Sequence, residues 1–143
     1  MIFCDSSALA KYYVDEPESE TLRFRLDSED VAIASELAHI ELMSTFHRQL
    51  RERKWTRGQF QDVAAQFNRD DAAGFWTWVP LNNFIIRAAS QLYLSLSENV
   101  FLRASDCLHL VTALHHGFAE ICTFDRHQQK AAPALGLIAR SIG

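Results

Sequence analysis

Short apolar runs alternate with amphipathic stretches along the whole chain. Met1-Ile2-Phe3-Cys4 is apolar throughout and closes on Asp5, and Ile121-Cys122-Thr123-Phe124 closes in the same way on Asp125. Runs this short with no polar alternation predict strands buried on both faces. Val31–Ala34, Phe75–Val79 stopping at Pro80, Glu120–Phe124 and Leu137–Arg140 extend the set of expected strands. Between them the period becomes helical. Ser6 or Ser7 can cap a helix through Val14, and Pro17 starts a second stretch with Leu22, Phe24 and Leu26 as its apolar side. A long helix is predicted from Glu36 to about Arg53, with Leu37, Ile40, Ser44, His47 and Leu50 sharing a face. Thr56 caps the next, carried by Phe60, Val63, Ala64 and Phe67 and ended by Gly74. Asn82 or Asn83 opens a helix to about Leu96, Ser105 opens another to about His116 before Gly117, and a short helix passes through Ala131 and Ala132.

Strands spaced by helices in this way mean βαβ units. The expected architecture is α/β, a three-layer α/β/α sandwich with a mostly parallel central sheet, forming a single domain over residues 1–143. The composition agrees: 48% apolar and 22% charged residues in 143 fill one sizeable core and exclude disordered and collagen-like classes. Cys4, Cys107 and Cys122 are odd in number, lie inside apolar runs and form no CxxC pair, so they read as reduced core residues. The N-terminus has no basic leader before Asp5, and no apolar run approaches the roughly 18 residues of a membrane span. A cytoplasmic protein without a membrane anchor is expected.

In open α/β sheets, ligands sit beyond the carboxyl ends of the strands, so Asp5 and Asp125 converge on one crevice if their strands are neighbours. Convergent carboxylates repel, and a divalent cation is the usual remedy. Glu41 lies one step from Ile40 and within a turn of Leu37, Ser44 and Thr45, on or beside the apolar face of its helix. A core-facing glutamate must be paired, protonated or bound to a metal. Asp106 falls in the first turn of its helix. There, dipole complementation is an ordinary alternative, as N-capping is for Asp5 and Asp125.

The constellation carries more than its parts. Asp5-Ser6-Ser7-Ala8-Leu9, the Glu41 helix introduced by Ser35-Glu36-Leu37, Leu102-Arg103-Ala104-Ser105-Asp106-Cys107-Leu108-His109, and Thr123-Phe124-Asp125-Arg126 occur in this order. The chain resembles the PIN-domain ribonucleases and, within them, the VapC toxins of bacterial toxin–antitoxin modules, over essentially its whole length. The resemblance implies a catalytic acidic quartet at Asp5, Glu41, Asp106 and Asp125, with supporting hydroxyls at Ser6 and Thr123. It implies endonucleolytic RNA cleavage by a water molecule, leaving the phosphate on the downstream fragment. A cognate VapB-type antitoxin and a homodimer are the implied partners. An oxygen-only donor set suits Mg²⁺ or Mn²⁺. Asp5 and Asp106 are the expected direct ligands, with Glu41 and Asp125 completing the shell.

A net charge of −4 looks wrong for a protein that binds RNA, but setting the four site acids aside leaves 14 acids against 14 bases. Bases cluster at Arg48, Arg51, Arg53, Lys54 and Arg57 around Trp55, while Lys11, Arg126 and Lys130 flank the motifs. Lys11, Arg51, Arg53, Lys54 and Arg126 are therefore candidate RNA contacts, although such runs are commonly solvated helix faces. His109, His115 and His116 lack a zinc spacing and read as core or surface residues. Phe75, Trp76 and Trp78 read as core near a sheet edge. Two other classes compete with a metal-dependent hydrolase. One is a PIN-like regulatory domain that binds RNA or protein without cutting. The other is a phosphoacceptor receiver domain, whose adjacent acidic pair and late lysine are not evident.

Overall fold

The computed structural model describes residues 1–141; Ile142 and Gly143, the end of the expected domain, lie outside the described residues. In chain order the elements are β1 (Ile2–Cys4), α1 (Ser6–Tyr13), α2 (Ser19–Asp27), β2 (Ala32–Ser35), α3 (Leu37–Arg51), α4 (Arg57–Ala72) and β3 (Trp76–Val79). They continue with α5 (Asn83–Ser95), α6 (Ala104–His115), β4 (Glu120–Cys122), α7 (Arg126–Ala131), a 3-10 turn (Ala132–Leu135) and β5 (Ile138–Arg140). The five strands form one sheet in the order β3-β2-β1-β4-β5, and every pairing is parallel. The strand order reverses at β1 and β4, which meet with Cys4 opposite Cys122.

Alternation along the strands divides the core. Cys4, Ala32 and Ala34 face a cluster built with Leu9 and Tyr13 of α1, Leu22 and Leu26 of α2, Leu42 and Phe46 of α3, and Phe67 of α4. Phe3, Ile33 and Ile121 face a second cluster with Ile85 of α5, Leu110 and Val111 of α6, and Leu137. Helices thus cover both faces of the sheet, as expected for strands with no polar side.

Caps place most helix boundaries. Asn82 accepts the Ile85 N–H, so it is the asparagine that opens α5. Thr56 and Gln59 exchange hydrogen bonds in a capping box at the start of α4. Gly117, at φ +79°, follows α6 in the left-handed region that glycine adopts without steric cost.

Several sequence expectations shift. The buried face of α3 is Ala38, Leu42, Phe46 and Gln49, and Ile40 is 67% exposed, so the helix is rotated by about one residue from the predicted stripe. Phe24 likewise points to solvent while Leu22 and Leu26 are buried. Helix α3 also stops earlier than predicted. Arg53 takes φ 60°, and the N–H groups of Arg53 and Lys54 return to the carbonyls of Leu50 and Gln49, closing a Schellman turn. Strand β4 ends at Cys122 because the Phe124 N–H is taken by the Ser7 hydroxyl. Helix α6 starts one residue before Ser105, with Arg103 at the N-cap.

Strand β3 is an edge strand, and its aromatics do belong to the core. The Trp76 indole N–H donates to the Tyr13 hydroxyl at 2.8 Å, and that hydroxyl donates to Asp70 at 2.7 Å, tying α1 to β3 and α4. Removing the hydroxyl strands the indole donor in a buried place. Tyr13→Phe is therefore expected to lower the unfolding free energy by about 1–3 kcal/mol, read from urea denaturation.

Candidate active site

Parallel pairing of β1 and β4 brings the two strand-ending segments together. Asp5 N–H donates to the Cys122 carbonyl at 3.2 Å, which sets the Asp5 side chain beside Thr123. Asp5 is 1% exposed. Its Oδ1 accepts from the Ser7 hydroxyl (2.6 Å) and the Ala8 N–H (3.1 Å), and its Oδ2 accepts from Thr123 Oγ1 (2.5 Å). The carboxylate caps α1 and ties the two loops in one arrangement. Thr123, one of the two hydroxyls named from sequence, is in contact with this carboxylate. On β1's side the hydroxyl in this network belongs to Ser7 rather than Ser6, because the first turn of α1 aims the second serine back at Asp5.

Asp125 caps α7, its Oδ1 accepting from the N–H groups of His127 (2.8 Å) and Gln128 (3.0 Å), and its own N–H donates to Thr123 Oγ1 (3.1 Å). Asp106 lies in the first turn of α6, 7% exposed. Arg103, one turn earlier, donates from Nε to Asp106 Oδ2 at 2.9 Å and from its terminal nitrogen to Asp125 Oδ2 at 3.4 Å. One guanidinium therefore spans two of the acids, and its own pKa is raised, first by the hydrogen bond to Asp106.

Glu41, in the second turn of α3, meets the fourth partner. Its Oε1 lies 2.5 Å from Nε2 of His109, whose ring is buried on α6 one turn beyond Asp106. His109 Nδ1 has no protein partner among the described residues. In a neutral ring the proton therefore belongs on Nε2, donated to Glu41. The glutamate that had to be paired is paired with a histidine. Contacts thus link all four acids: Asp5 to Asp125 through Thr123, Asp125 to Asp106 through Arg103, and Glu41 to the Asp106 helix through His109.

A model of the PIN domain family matches residues 2–133. The chain belongs to the PIN domain family. Over 141 residues it is 28% identical to Ribonuclease VapC46 of Mycobacterium tuberculosis, spanning 95% of this chain and 93% of that protein. The fold is similar to two solved structures. One is VapC20 of Mycobacterium tuberculosis, a sarcin-ricin loop cleaving toxin (TM-score 0.72, 15% identity, 96% of this chain and 97% of that one). The other is FitAcB from Neisseria gonorrhoeae (TM-score 0.74, 17% identity, 97% and 96%).

The PIN-domain site carries residues that the sequence reading passed over. The resemblance points to Ser6 as the supporting hydroxyl, and Ser7 enters only as an alternative helix cap. Arg103 had a signal in its i,i+3 spacing to Asp106. His109 reads from sequence as a core or surface residue and is in the core; its apolar neighbours Leu108 and Leu110 and its place one turn from Asp106 are the signal for a buried ring beside an acid. The basic candidates separate. Arg126 follows Asp125 directly and is exposed. Lys11 is mostly covered, bound to Glu16 and the Pro17 carbonyl and lying 5.0 Å from the Phe124 ring centroid, so it clamps the loop more than it faces solvent. Arg51, Arg53 and Lys54 are exposed at the far end of α3. Arg51 stands ten residues past Glu41, about 15 Å along the helix axis.

The donor set fits a hard divalent cation. Asp106 Oδ1 and Glu41 Oε2 accept no hydrogen bond among the described residues, leaving carboxylate oxygens free to bind. No three His, Cys, Asp or Glu side chains among the described residues form a cage that could hold an ion by themselves.

Burial raises the Asp5 carboxyl above the usual aspartate range, against the opposing effects of His109, Ser7, Thr123 and Ala8. The folded chain then holds this proton more tightly than the unfolded chain. The contribution of Asp5 to metal-free stability therefore falls as pH rises from the unfolded value through the raised folded one. In chelator, Asp5→Asn is expected to gain stability relative to wild type over that window as pH increases. Urea denaturation of both proteins between about pH 4 and 8 checks this; a wild type that gains on the variant with rising pH contradicts it.

Proposed function

We propose that this PIN domain is a metal-dependent endoribonuclease, the toxin of a type II toxin–antitoxin module. The observation that carries the proposal is the linked acid network at the carboxyl ends of β1 and β4, with oxygens of Asp106 and Glu41 unengaged. Ribonuclease VapC46 is a relative along nearly the whole chain, which supports RNA as the substrate. The network forms no serine–histidine pair: its serine and threonine hydroxyls contact Asp5, and its histidine is buried against Glu41.

Asp5 and Asp106 are the proposed direct ligands of Mg²⁺ or Mn²⁺, with Glu41 and Asp125 completing the shell directly or through water. When bound, such an ion lowers the pKa of a coordinated water and offsets charge growing on the departing oxygen. The chain's own residues supply geometry. Ser7 and Thr123 hold the Asp5 carboxylate in one rotamer, and His109 fixes Glu41 where it can orient an attacking water. The ribose 2′-hydroxyl has no required part in a water attack.

The proposed partners are RNA, a VapB-type antitoxin and a second copy of the chain. Exposed Phe84 and Leu94 of α5, Phe101 and Ile40 are apolar surface of the kind that partner chains cover. A cytoplasmic location is proposed with three free, buried cysteines in its favour. Among the described residues no helix is long and apolar enough to cross a membrane.

Purified protein incubated with total bacterial RNA and Mg²⁺ or Mn²⁺ is expected to make discrete cuts that chelator abolishes, mapped by end sequencing. A folded Asp106→Asn variant should lose at least about a hundredfold of the cutting rate. Unimpaired cutting by that variant, with a normal melt, removes Asp106 from the mechanism. Absence of cuts by wild type would favour the non-cutting binding domain.

Joint neutralisation of Arg51, Arg53 and Lys54 tests the reach of the RNA. If they track the backbone, the salt dependence of RNA binding flattens by about 0.7 in log–log slope for each lost phosphate contact. An unchanged slope places the RNA elsewhere.

A further inference from the structure

The acidic site is neutralised within the chain by two basic side chains of unlike freedom. Among the described residues, three of the four acids contact a basic side chain: Glu41 meets His109, and Asp106 and Asp125 meet Arg103. The His109 side chain is 1% exposed and locked on Glu41, so it cannot reach a substrate. The Arg103 side chain is 52% exposed, sits at the N-cap without a capping hydrogen bond, and bridges Asp106 to Asp125 from the solvent side. Of the two, it is the side chain that touches the acids and is also open to solvent. Its bonds engage oxygens of the same carboxylates that a divalent ion would draw on.

We propose that Arg103 is an exchangeable cation of the site, which gives up Asp106 and Asp125 to the divalent ion and passes its guanidinium to a phosphate of the bound RNA strand. The inference rests on the metal-dependent ribonuclease reading above. Charge favours such an exchange: a guanidinium and a divalent ion on the same carboxylates repel one another, and a phosphate arriving among four acids gains from a cation beyond the ion itself. Geometry permits it. The guanidinium is planar with paired donors that match a carboxylate or a phosphate equally, so one side chain serves both partners. Its tie to the site is wet on the arginine side, where Arg103 is 52% exposed against 10% for the Asp106 side chain and 29% for Asp125, so the guanidinium can swing out to solvent while the carboxylates stay in place. Arg103 is accordingly a phosphate-positioning residue that competes with metal in the free protein.

Two measurements test the exchange, on wild type, Arg103→Gln and Arg103→Lys, each confirmed folded by thermal melt. Mn²⁺ binding to the metal-free protein without RNA is titrated by electron paramagnetic resonance. KM and kcat are then measured at saturating Mn²⁺ on an oligoribonucleotide spanning a mapped wild-type cut. Arg103→Gln is expected to bind Mn²⁺ about threefold tighter, the scale of an exposed ion pair, while its KM rises about tenfold through loss of a charged phosphate contact. Arg103→Lys, which keeps the charge and loses the fork, should fall between on both. Mn²⁺ affinity or KM left at the wild-type value in Arg103→Gln overturns the exchange, because it demands both changes. A wild type that neither binds Mn²⁺ nor cuts RNA overturns the ribonuclease reading, and this inference with it. A wild type that does both while Arg103→Gln is unaltered overturns this inference alone.

Discussion

The buried carboxylate of Asp5 sets the terms for everything around it. An ionised carboxylate at 1% exposure costs several kcal/mol unless its lone pairs are filled. Ser7 and Ala8 engage Oδ1 and Thr123 engages Oδ2, which leaves one lone pair of Oδ2 open. Because Thr123 comes from the end of β4 and Ser7 from α1, satisfying that one group also fixes how the β1 and β4 loops meet. The Ser7 hydroxyl then takes the Phe124 N–H, which ends β4 and turns the chain toward Asp125. The crevice of the sheet and the seat of its second aspartate thus follow from one burial problem.

Charge is the next constraint, and the fold meets it in two ways. On the α3 side, His109 is buried and gives Glu41 a fixed partner. On the open side, Arg103 spans Asp106 and Asp125 while half in water. A dry contact with a rigid ring orients; a wet contact with a flexible cation can be exchanged. The pairing of one of each keeps the acids from repelling the folded chain apart without closing the site to an ion or a phosphate.

The sequence made the skeleton of this site legible because the apolar runs ending in aspartate carry both signals in consecutive residues. Alternation of strands and helices sufficed for the layered sheet, and the motif order sufficed for the PIN family. The face of α3 was misread for a physical reason. Leu37 and Ile40 outweigh Ala38 and Gln49 on any hydropathy count, yet the small and amphipathic residues are the ones that fit under α1, and Ile40 stays 67% exposed. The choice between Ser6 and Ser7 depended on the rotation of a first helical turn. His109 and Glu41 stand 68 positions apart, and no local pattern announces a contact that only the packed fold creates.

The rotation of α3 also explains why Glu41 belongs to the site at all. The sequence puts Glu41 on or beside the apolar face of its helix, and the structure puts it beside that face. With Ala38, Leu42 and Phe46 inward, Glu41 sits at the margin, its side chain 30% exposed, able to hold His109 with one oxygen and leave the other toward the crevice. The same helix then runs back alongside the sheet, as crossover helices do between parallel strands, and carries Arg51, Arg53 and Lys54 to the other end. Acids and bases are segregated along one helix. Any RNA that uses both must extend beyond the scissile phosphate by the length of α3, so the basic end can add affinity for a long or folded strand but cannot stabilise the chemistry itself.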